Sequence, residues 1–246
     1  PFSPMLRQRR LPAIGVLLLL FLLPACTGKL AKQTELTAPD LLARGQQNLA
    51  AKKYGKATEA FQVLLERFPN SPLASKAQIG LADARMNNKD NVEAEVAFDD
   101  FLRLYPADDN VPYALYRKGE LLARQAPDPG RDQTKTIEAV KVFTQVLEKN
   151  PKGPYAEVAA ARIAALRNRL AEHEKRVIAH YLGRKRYLSA ESRARRALSE
   201  YPETAAVRSI LSFLAESLEK QGKKEEAAET RKSLAEKFPP PGGKKP

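Results

Sequence analysis

The side chains that could do chemistry are few, and their spacing does not suit catalysis. His173 and His180 are the two histidines, and they lie two helical turns apart in a charged segment without a carboxylate pair to complete a metal site. The carboxylate pairs at positions 99–100 and 108–109 have no nucleophile motif near them and fit solvated positions in a helix and a turn. The sequence also lacks a Walker loop and a Gly-x-Ser-x-Gly elbow. We therefore predict a binding protein without catalytic residues, metal or cofactor.

Cys26 is the single cysteine, so it cannot form a disulfide within the chain. It follows a basic segment after Met5, the expected initiator, then the apolar run Leu11–Leu23 and the small residue Ala25. This run suits a secretory signal, and it is shorter than the ~20 residues of a membrane-spanning helix. A cysteine at this point resembles a bacterial lipoprotein signal, in which the cysteine is lipidated. The alternative is an ordinary cleaved signal with an incidental cysteine.

The beginning of the chain thus divides into a predicted signal peptide at 1–25 and a polar tether at 26–38. Thr27 follows the cysteine, where many lipoproteins of the inner membrane carry Asp. The resemblance to a lipoprotein signal therefore implies the periplasmic face of the outer membrane, with the protein anchored to the membrane through Cys26. Acyl chains that each contribute about 0.8 kcal/mol per buried CH₂ would hold the folded body there.

Five prolines divide the rest of the chain, each of them after a helix-like segment. They are Pro69, Pro106, Pro151, Pro202 and Pro239, separated by 37, 45, 51 and 37 residues. Proline has no N–H to extend a helix, and it disfavours the helical region for the preceding residue, so each proline predicts a helix end. A self-similar period of this size is typical of stacked helical repeats.

Small and aromatic residues recur at fixed distances before these prolines. An alanine and a phenylalanine stand twelve and eight residues before each of the first three: Ala57 and Phe61, Ala94 and Phe98, and Ala139 and Phe143. The pattern resembles the tetratricopeptide repeat, in which paired helices approach at small residues and an aromatic side chain fills the groove toward the next repeat. No segment alternates in the manner of a strand. We predict an all-α tetratricopeptide-repeat solenoid of about five helix-turn-helix repeats.

The two longer spacings mark departures from a regular array. A loop at 126–132 lengthens the third repeat, and a helix of about Tyr155–Gly183 precedes the rest of the fourth. We predict N-terminal repeats 1–3 at 39–153, and the long helix with C-terminal repeats 4 and 5 at 154–239. The remaining tail, 240–246, consists mainly of Pro, Gly and Lys, and we predict that it is disordered.

The net charge is +13, and part of the excess is concentrated in one segment. Between Arg162 and Arg196 there are eleven Lys or Arg residues against three Glu. Solvated helix faces explain such a segment, and so does an electropositive surface for an acidic partner domain or for anionic lipid headgroups. No nucleic-acid-binding motif accompanies the charge, so we predict no nucleic-acid partner.

Repeat geometry predicts which side chains line the concave surface of the solenoid. Positions two, five, nine, twelve and thirteen of the first helix in each repeat usually face this groove. The candidates from the second and third repeats are Asp83, Met86, Asn87, Tyr113, Tyr116, Glu120 and Arg124. Aromatic, amide and guanidinium groups together suit an extended peptide that ends in an aromatic residue and a carboxylate. The alternative for Tyr113 and Tyr116 is that they pack between repeats.

Several segments resemble one family of bacterial lipoproteins. They are Arg-Phe-Pro-Asn-Ser-Pro at 67–72, Asp-Phe-Leu-Arg-Leu-Tyr-Pro at 100–106, Tyr-Ala-Leu-Tyr-Arg-Lys-Gly at 113–119, the Arg-Asp insertion at 131–132, and Leu-Arg-Asn-Arg-Leu-Ala-Glu-His-Glu at 166–174. Together with the lipoprotein signal and the five repeats, they make the chain similar to the BamD family of the outer-membrane β-barrel assembly machinery over about residues 38–239.

The resemblance implies a scaffold with two faces. The N-terminal repeats would bind unfolded outer-membrane proteins, recognising the signal in their C-terminal strand. The C-terminal repeats would dock the periplasmic domain of the barrel-forming subunit and smaller accessory lipoproteins, and Arg193 matches an arginine of the family's partner-contact surface. Two alternatives remain: a repeat lipoprotein that scaffolds pilus secretin or envelope assembly, and a peptidoglycan-binding protein.

Overall fold

The computed structural model describes residues 36–239; the predicted signal peptide, Cys26, most of the tether and the tail lie outside the described residues. Between residues 36 and 239 the chain forms ten α-helices and no strand. The helices are α1 (Ala38–Ala50), α2 (Tyr54–Arg67), α3 (Ala74–Asn88), α4 (Asn91–Leu104), α5 (Val111–Gln125), α6 (Thr134–Lys149), α7 (Ala156–Gly183), α8 (Tyr187–Glu200), α9 (Val207–Lys220) and α10 (Lys224–Lys237).

The helices form five consecutive pairs, which confirms the predicted all-α repeat solenoid. Each helix packs against the one before it and the one after it, and the first helices of successive pairs also touch: α1 with α3, α3 with α5, and α7 with α9. The first helices of the pairs therefore share one surface of the array, and the turns within the pairs share one edge. All of the described repeats belong to one compact unit.

Each of the five prolines follows the second helix of a pair by two residues. The residues in between are Phe68, Tyr105, Asn150, Tyr201 and Phe238, and their φ angles are −131°, −127°, −150°, −130° and −133°. These angles lie outside the helical region because the ring of the following proline crowds the residue before it. The chain therefore leaves the helix at the same point in every pair.

Phe61 shows how the small and aromatic residues join neighbouring repeats. Its side chain is fully buried between α1 and α3. A Cβ atom added at Gly45 would lie 2.4 Å from the ring, and one added at Gly80 would lie 2.5 Å from it. Phe143 and Gly119 repeat this arrangement, at 2.7 Å, in the third pair. The aromatic ring occupies the space that glycine leaves open on the adjacent helix.

We expect Gly80→Ala to lower the melting temperature, because the added methyl group meets a ring that Gly45 holds from the other side. Overpacking of this kind costs about 1–3 kcal/mol, which corresponds to roughly 2–12 °C in a chain of this size. Gly55→Ala is the matched control, since its Cβ would meet no atom within 4 Å. Combining Gly80→Ala with Phe61→Leu should cost less than the sum of the single changes in thermal denaturation. Strict additivity would contradict the contact.

Lysine occupies the left-handed position in three of the turns within pairs. Lys52, Lys89 and Lys185 have φ angles of 57°, 70° and 56°, and Gly222 has 81° at the equivalent point after α9. After α7, for example, the Lys185 N–H bonds the Leu182 carbonyl and the next N–H bonds the Tyr181 carbonyl. Glycine is the usual residue in such helix caps, and a side chain there costs about 1 kcal/mol.

The 28-residue helix α7 connects the third pair to the last two. It packs against α6, and Arg162 in its first half binds Glu120 of α5 at 2.7 Å. Its second half pairs with α8, where Glu174 binds Arg193 at 2.7 Å. Among the described residues, no helix combines the length and the apolar character needed to cross a bilayer.

Candidate binding surfaces

Asp83 lies at the centre of the predicted groove, but neighbouring side chains already satisfy its carboxylate. The Tyr113 hydroxyl donates to Oδ2 at 2.6 Å, and the Arg117 Nε donates to Oδ1 at 2.8 Å. Asp83 is buried at 7 % exposure. Burial and the Asp83 charge raise the pKa of Tyr113 above its usual range, so the tyrosine stays a donor. Asp83 therefore orients Tyr113 and Arg117.

Tyr113 and Tyr116 pack between repeats through Tyr155, the residue that precedes α7. The Tyr116 and Tyr155 rings stack with centroids 5.2 Å apart, and the Tyr113 and Tyr155 rings are tilted at 5.7 Å. Tyr116 also lies 6.1 Å from the buried Phe143 ring. All three tyrosines are only partly buried. Tyr113 and Tyr116 thus pack between repeats, the alternative stated above, while each side chain remains partly exposed.

The other predicted groove residues separate into three groups. Met86 is 2 % exposed and belongs to the core, so its prediction as a groove residue is wrong: its position on α3 faces inward. Glu120 is engaged by Arg162 through both carboxylate oxygens, at 2.7 and 3.1 Å. Asn87 and Arg124 are exposed near the ends of α3 and α5.

An open cleft of about 370 Å³ crosses the first helices of the first three pairs. Its apolar surface comes from Leu49 on α1 and Ile79 on α3, and the fully buried Phe61 ring lies beneath Gly80. Its polar groups are Gln46, Lys76, Asp83, Asn110 and Tyr113. The structure therefore brings two predicted residues, Asp83 and Tyr113, into a concave site that also contains an exposed lysine and exposed amides.

Sequence reasoning missed most of this cleft, although the signal was present. Counting from Ala38 and from Ser75, positions nine and twelve of the first repeat are Gln46 and Leu49, and positions two and five of the second are Lys76 and Ile79. The same rule that selected Asp83 thus selects these four residues. The predicted set contained only the later positions of the second repeat and the positions of the third.

Arg193 lies on α8 and binds a buried carboxylate of α7. Its Nε and Nη2 donate to the two oxygens of Glu174 at 2.7 and 3.1 Å, and Glu174 is 8 % exposed. The bond to Glu174 raises the pKa of Arg193 above its usual value. Arg196 approaches the same carboxylate at 3.7 Å. Two of the Arg193 donors therefore serve the fold, and the rest of the guanidinium borders a surface depression of about 350 Å³.

A known protein family matches nearly the whole of the described span. Residues 34–234 match the model of the YfiO family, described as an outer membrane lipoprotein. This match covers far more than half of the sequence.

The chain belongs to the YfiO family.

Its relatives include proteins named outer membrane protein assembly factor BamD. The protein of Neisseria meningitidis serogroup A is 30 % identical over 233 residues, covering 88 % of this chain and 87 % of the relative. Those of Haemophilus influenzae and Vibrio cholerae are 25 % and 28 % identical, covering 92 % and 84 % of this chain and 90 % of each relative. The family resemblance found in the sequence is confirmed. Among solved structures, a thermophilic TPR protein of Thermus thermophilus aligns at 20 % identity and a TM-score of 0.40, covering 83 % of this chain and 93 % of that one.

In this YfiO-family chain side chains of α7 contact backbone carbonyls of the loop at 126–132. Arg169 Nη1 donates to the carbonyls of Ala126 and Pro127 at 2.8 and 2.6 Å, and His173 Nδ1 lies 2.7 Å from the carbonyl of Pro129. His173 thus has a structural partner in the loop. Within residues 36–239, no group of three or more His, Cys, Asp or Glu side chains is arranged to hold a metal ion.

Proposed function

We propose that this chain is a lipid-anchored periplasmic adaptor of the outer-membrane β-barrel protein assembly machinery. It binds unfolded outer-membrane proteins in the cleft of α1, α3 and α5, and it docks the barrel-forming subunit and accessory lipoproteins through its C-terminal repeats. Family membership carries the proposal, because the relatives are named outer membrane protein assembly factors and this chain matches them over nearly their whole length. The anchor is the lipidated Cys26, at the periplasmic face of the outer membrane.

The chemistry of the cleft supports the substrate role. An extended peptide needs an apolar floor for alternate side chains and polar groups for its backbone. Leu49 and Ile79 supply the floor, and Gln46 and Asn110 supply amides at the rim. Lys76 supplies an exposed cation to a terminal carboxylate. Arg124 and Asn87, the predicted guanidinium and amide, are not among the residues lining the cleft, and Lys76, Gln46 and Asn110 supply these groups instead.

The exposed part of Arg193 supports the docking role. Arginine with one face committed to a buried carboxylate is held rigidly, so little side-chain entropy is lost when its remaining N–H groups bind an acidic partner. Tyr181 and Leu188 border the same depression and provide apolar area beside it. This combination of an arginine with aromatic and aliphatic neighbours is typical of an interaction hot spot. The role is that of an adaptor without catalytic chemistry, cofactor or nucleic-acid partner.

Affinity purification of the full chain from detergent-extracted membranes tests the proposal. We expect the barrel-forming subunit and accessory lipoproteins of the assembly machinery to co-purify. A different outer-membrane lipoprotein with the same tag, expressed at the same level, is the control. Recovery of a pilus secretin or of muropeptides, without any barrel-assembly subunit, would contradict the proposal and favour one of the two alternative scaffolds.

A further inference from the structure

The turn between α7 and α8 carries three consecutive basic residues. Arg184, Lys185 and Arg186 are all exposed, and none forms an ion pair within residues 36–239. Leu188, at the start of α8, stands next to them with 69 % of its surface exposed. These three cations and Leu188 are neither buried in the core nor part of an ion pair within residues 36–239.

The neighbouring turn between α9 and α10 extends this basic surface. Lys220 and Lys224 are exposed at its two sides. Lys223 binds Glu191 at 2.8 Å and is neutralised there. Glu225 is an exposed carboxylate next to Lys224 and offsets one charge. Because α7 and α9 pack side by side, the two turns lie at the same edge of the solenoid and their positive fields add.

Lys185 is also an unfavourable choice for its backbone position. It adopts the left-handed conformation, with φ of 56°, whereas the equivalent position after α9 is Gly222. The turns after α1 and α3 also use lysine there, but only in the α7–α8 turn does arginine flank it on both sides. Glycine would fit all of these positions without strain. Lys185 therefore places a positive charge at this turn at a cost to folding of about 1 kcal/mol.

We infer that the basic tip, Arg184–Arg186 with Leu188, contacts anionic phospholipid headgroups at a membrane surface. This interaction goes beyond the proposed adaptor function and does not involve the cleft; Leu188 is shared with the border of the Arg193 depression. The chain belongs to a family of outer membrane lipoproteins, so a membrane surface lies close to it. Lysine and arginine near an anionic leaflet, with an aliphatic side chain that can enter the interface, are the usual second signal beside a lipid anchor.

The composition of the tip favours lipid over an acidic protein. Protein interfaces are enriched in aromatic residues and arginine and depleted in lysine, whereas the tip combines both cations without a charged partner among residues 36–239. The three cations of the tip follow one another around an exposed turn, and Tyr187, next to them, is only partly exposed. Such side chains suit a surface of mobile phosphates, where attraction depends on the distance of the cations from the membrane and not on the direction of individual hydrogen bonds.

Vesicle binding by the chain from Thr27 onward, which lacks the anchor and keeps the whole repeat unit, tests the inference. We expect binding to mixed phosphatidylglycerol and phosphatidylcholine vesicles, little binding to pure phosphatidylcholine, and a decline with added salt. The variant Arg184→Gln, Lys185→Gly, Arg186→Gln should bind more weakly by on the order of a hundredfold, at about fivefold per charge. Its melting temperature should not fall, since Lys185→Gly removes backbone strain.

A second variant keeps the test independent of overall charge. Lys141→Gln, Lys149→Gln, Lys152→Gln removes the same three charges from exposed positions on α6 and in the turn after it. We expect its vesicle binding to stay within about threefold of the wild type. Equal losses in both variants would overturn the inference, and so would failure of the wild type to bind anionic vesicles. Because neither variant touches the cleft, failure here is separate from failure of the co-purification experiment.

Discussion

Arg193→Glu should abolish docking of the barrel-forming subunit and also destabilise the C-terminal repeats. The change places a carboxylate against Glu174, which is buried at 8 % exposure and then has no bidentate partner. Breaking a buried ion pair from one side costs about 3–5 kcal/mol, and since part of Arg193 reaches solvent we expect the lower end. Urea denaturation measures the stability, and co-purification from membranes measures the docking.

A charge swap separates these two effects. Glu174→Arg combined with Arg193→Glu re-forms the pair with its charges exchanged, so most of the lost stability should return, while docking should stay absent because the surface now presents a carboxylate. Arg196→Gln is the matched control: this arginine is 54 % exposed and 3.7 Å from Glu174, so it should cost under about 1 kcal/mol. If the swap restores docking to the wild-type level, Arg193 acts within the chain alone.

Ile79→Glu should weaken binding of an outer-membrane protein's C-terminal peptide by on the order of a hundredfold. The change removes apolar surface from the cleft floor and adds a negative charge where a peptide carboxylate is expected, and the two effects together amount to roughly 3 kcal/mol. Fluorescence anisotropy of a labelled peptide measures it. Val96→Glu makes the same kind of change at a position of α4 that is 53 % exposed, outside the cleft, and should leave the affinity unchanged. Equal weakening by both variants would contradict a site in the cleft.

The helix ends and the repeat order could be predicted from sequence because local rules determine them. The residue before each proline cannot stay helical, so Pro69 and its four equivalents mark the end of each second helix to the residue. The long helix, predicted at about Tyr155–Gly183, begins one residue later at Ala156. Its apolar spacing continues without an interior Pro or Gly, and nothing local ends it earlier.

The candidate sites were harder to predict because their contacts join distant parts of the chain. Arg117 reaches Asp83 across 34 residues, and Arg169 reaches the loop carbonyl of Ala126 across 43. Helix periodicity indicates which residues share a face, yet it does not say which of them a neighbouring helix will cover. Met86 was assigned to the groove for that reason, and it is buried. The partners of Tyr116 and Arg193 could not be predicted either, because Tyr155 and Glu174 lie next to α7 or on it, in a different helix from the residue they contact.

Site-specific photocrosslinking in living cells tests the central claim, that unfolded outer-membrane proteins occupy the cleft of α1, α3 and α5. A photoreactive residue replaces Ile79 in one strain and Val96 in another, and the captured proteins are identified by mass spectrometry. We predict that position 79 captures outer-membrane β-barrel proteins before their assembly, and that position 96 captures few or none. If position 79 captures no such protein while the chain still co-purifies with the barrel-forming subunit, the cleft is not the substrate site.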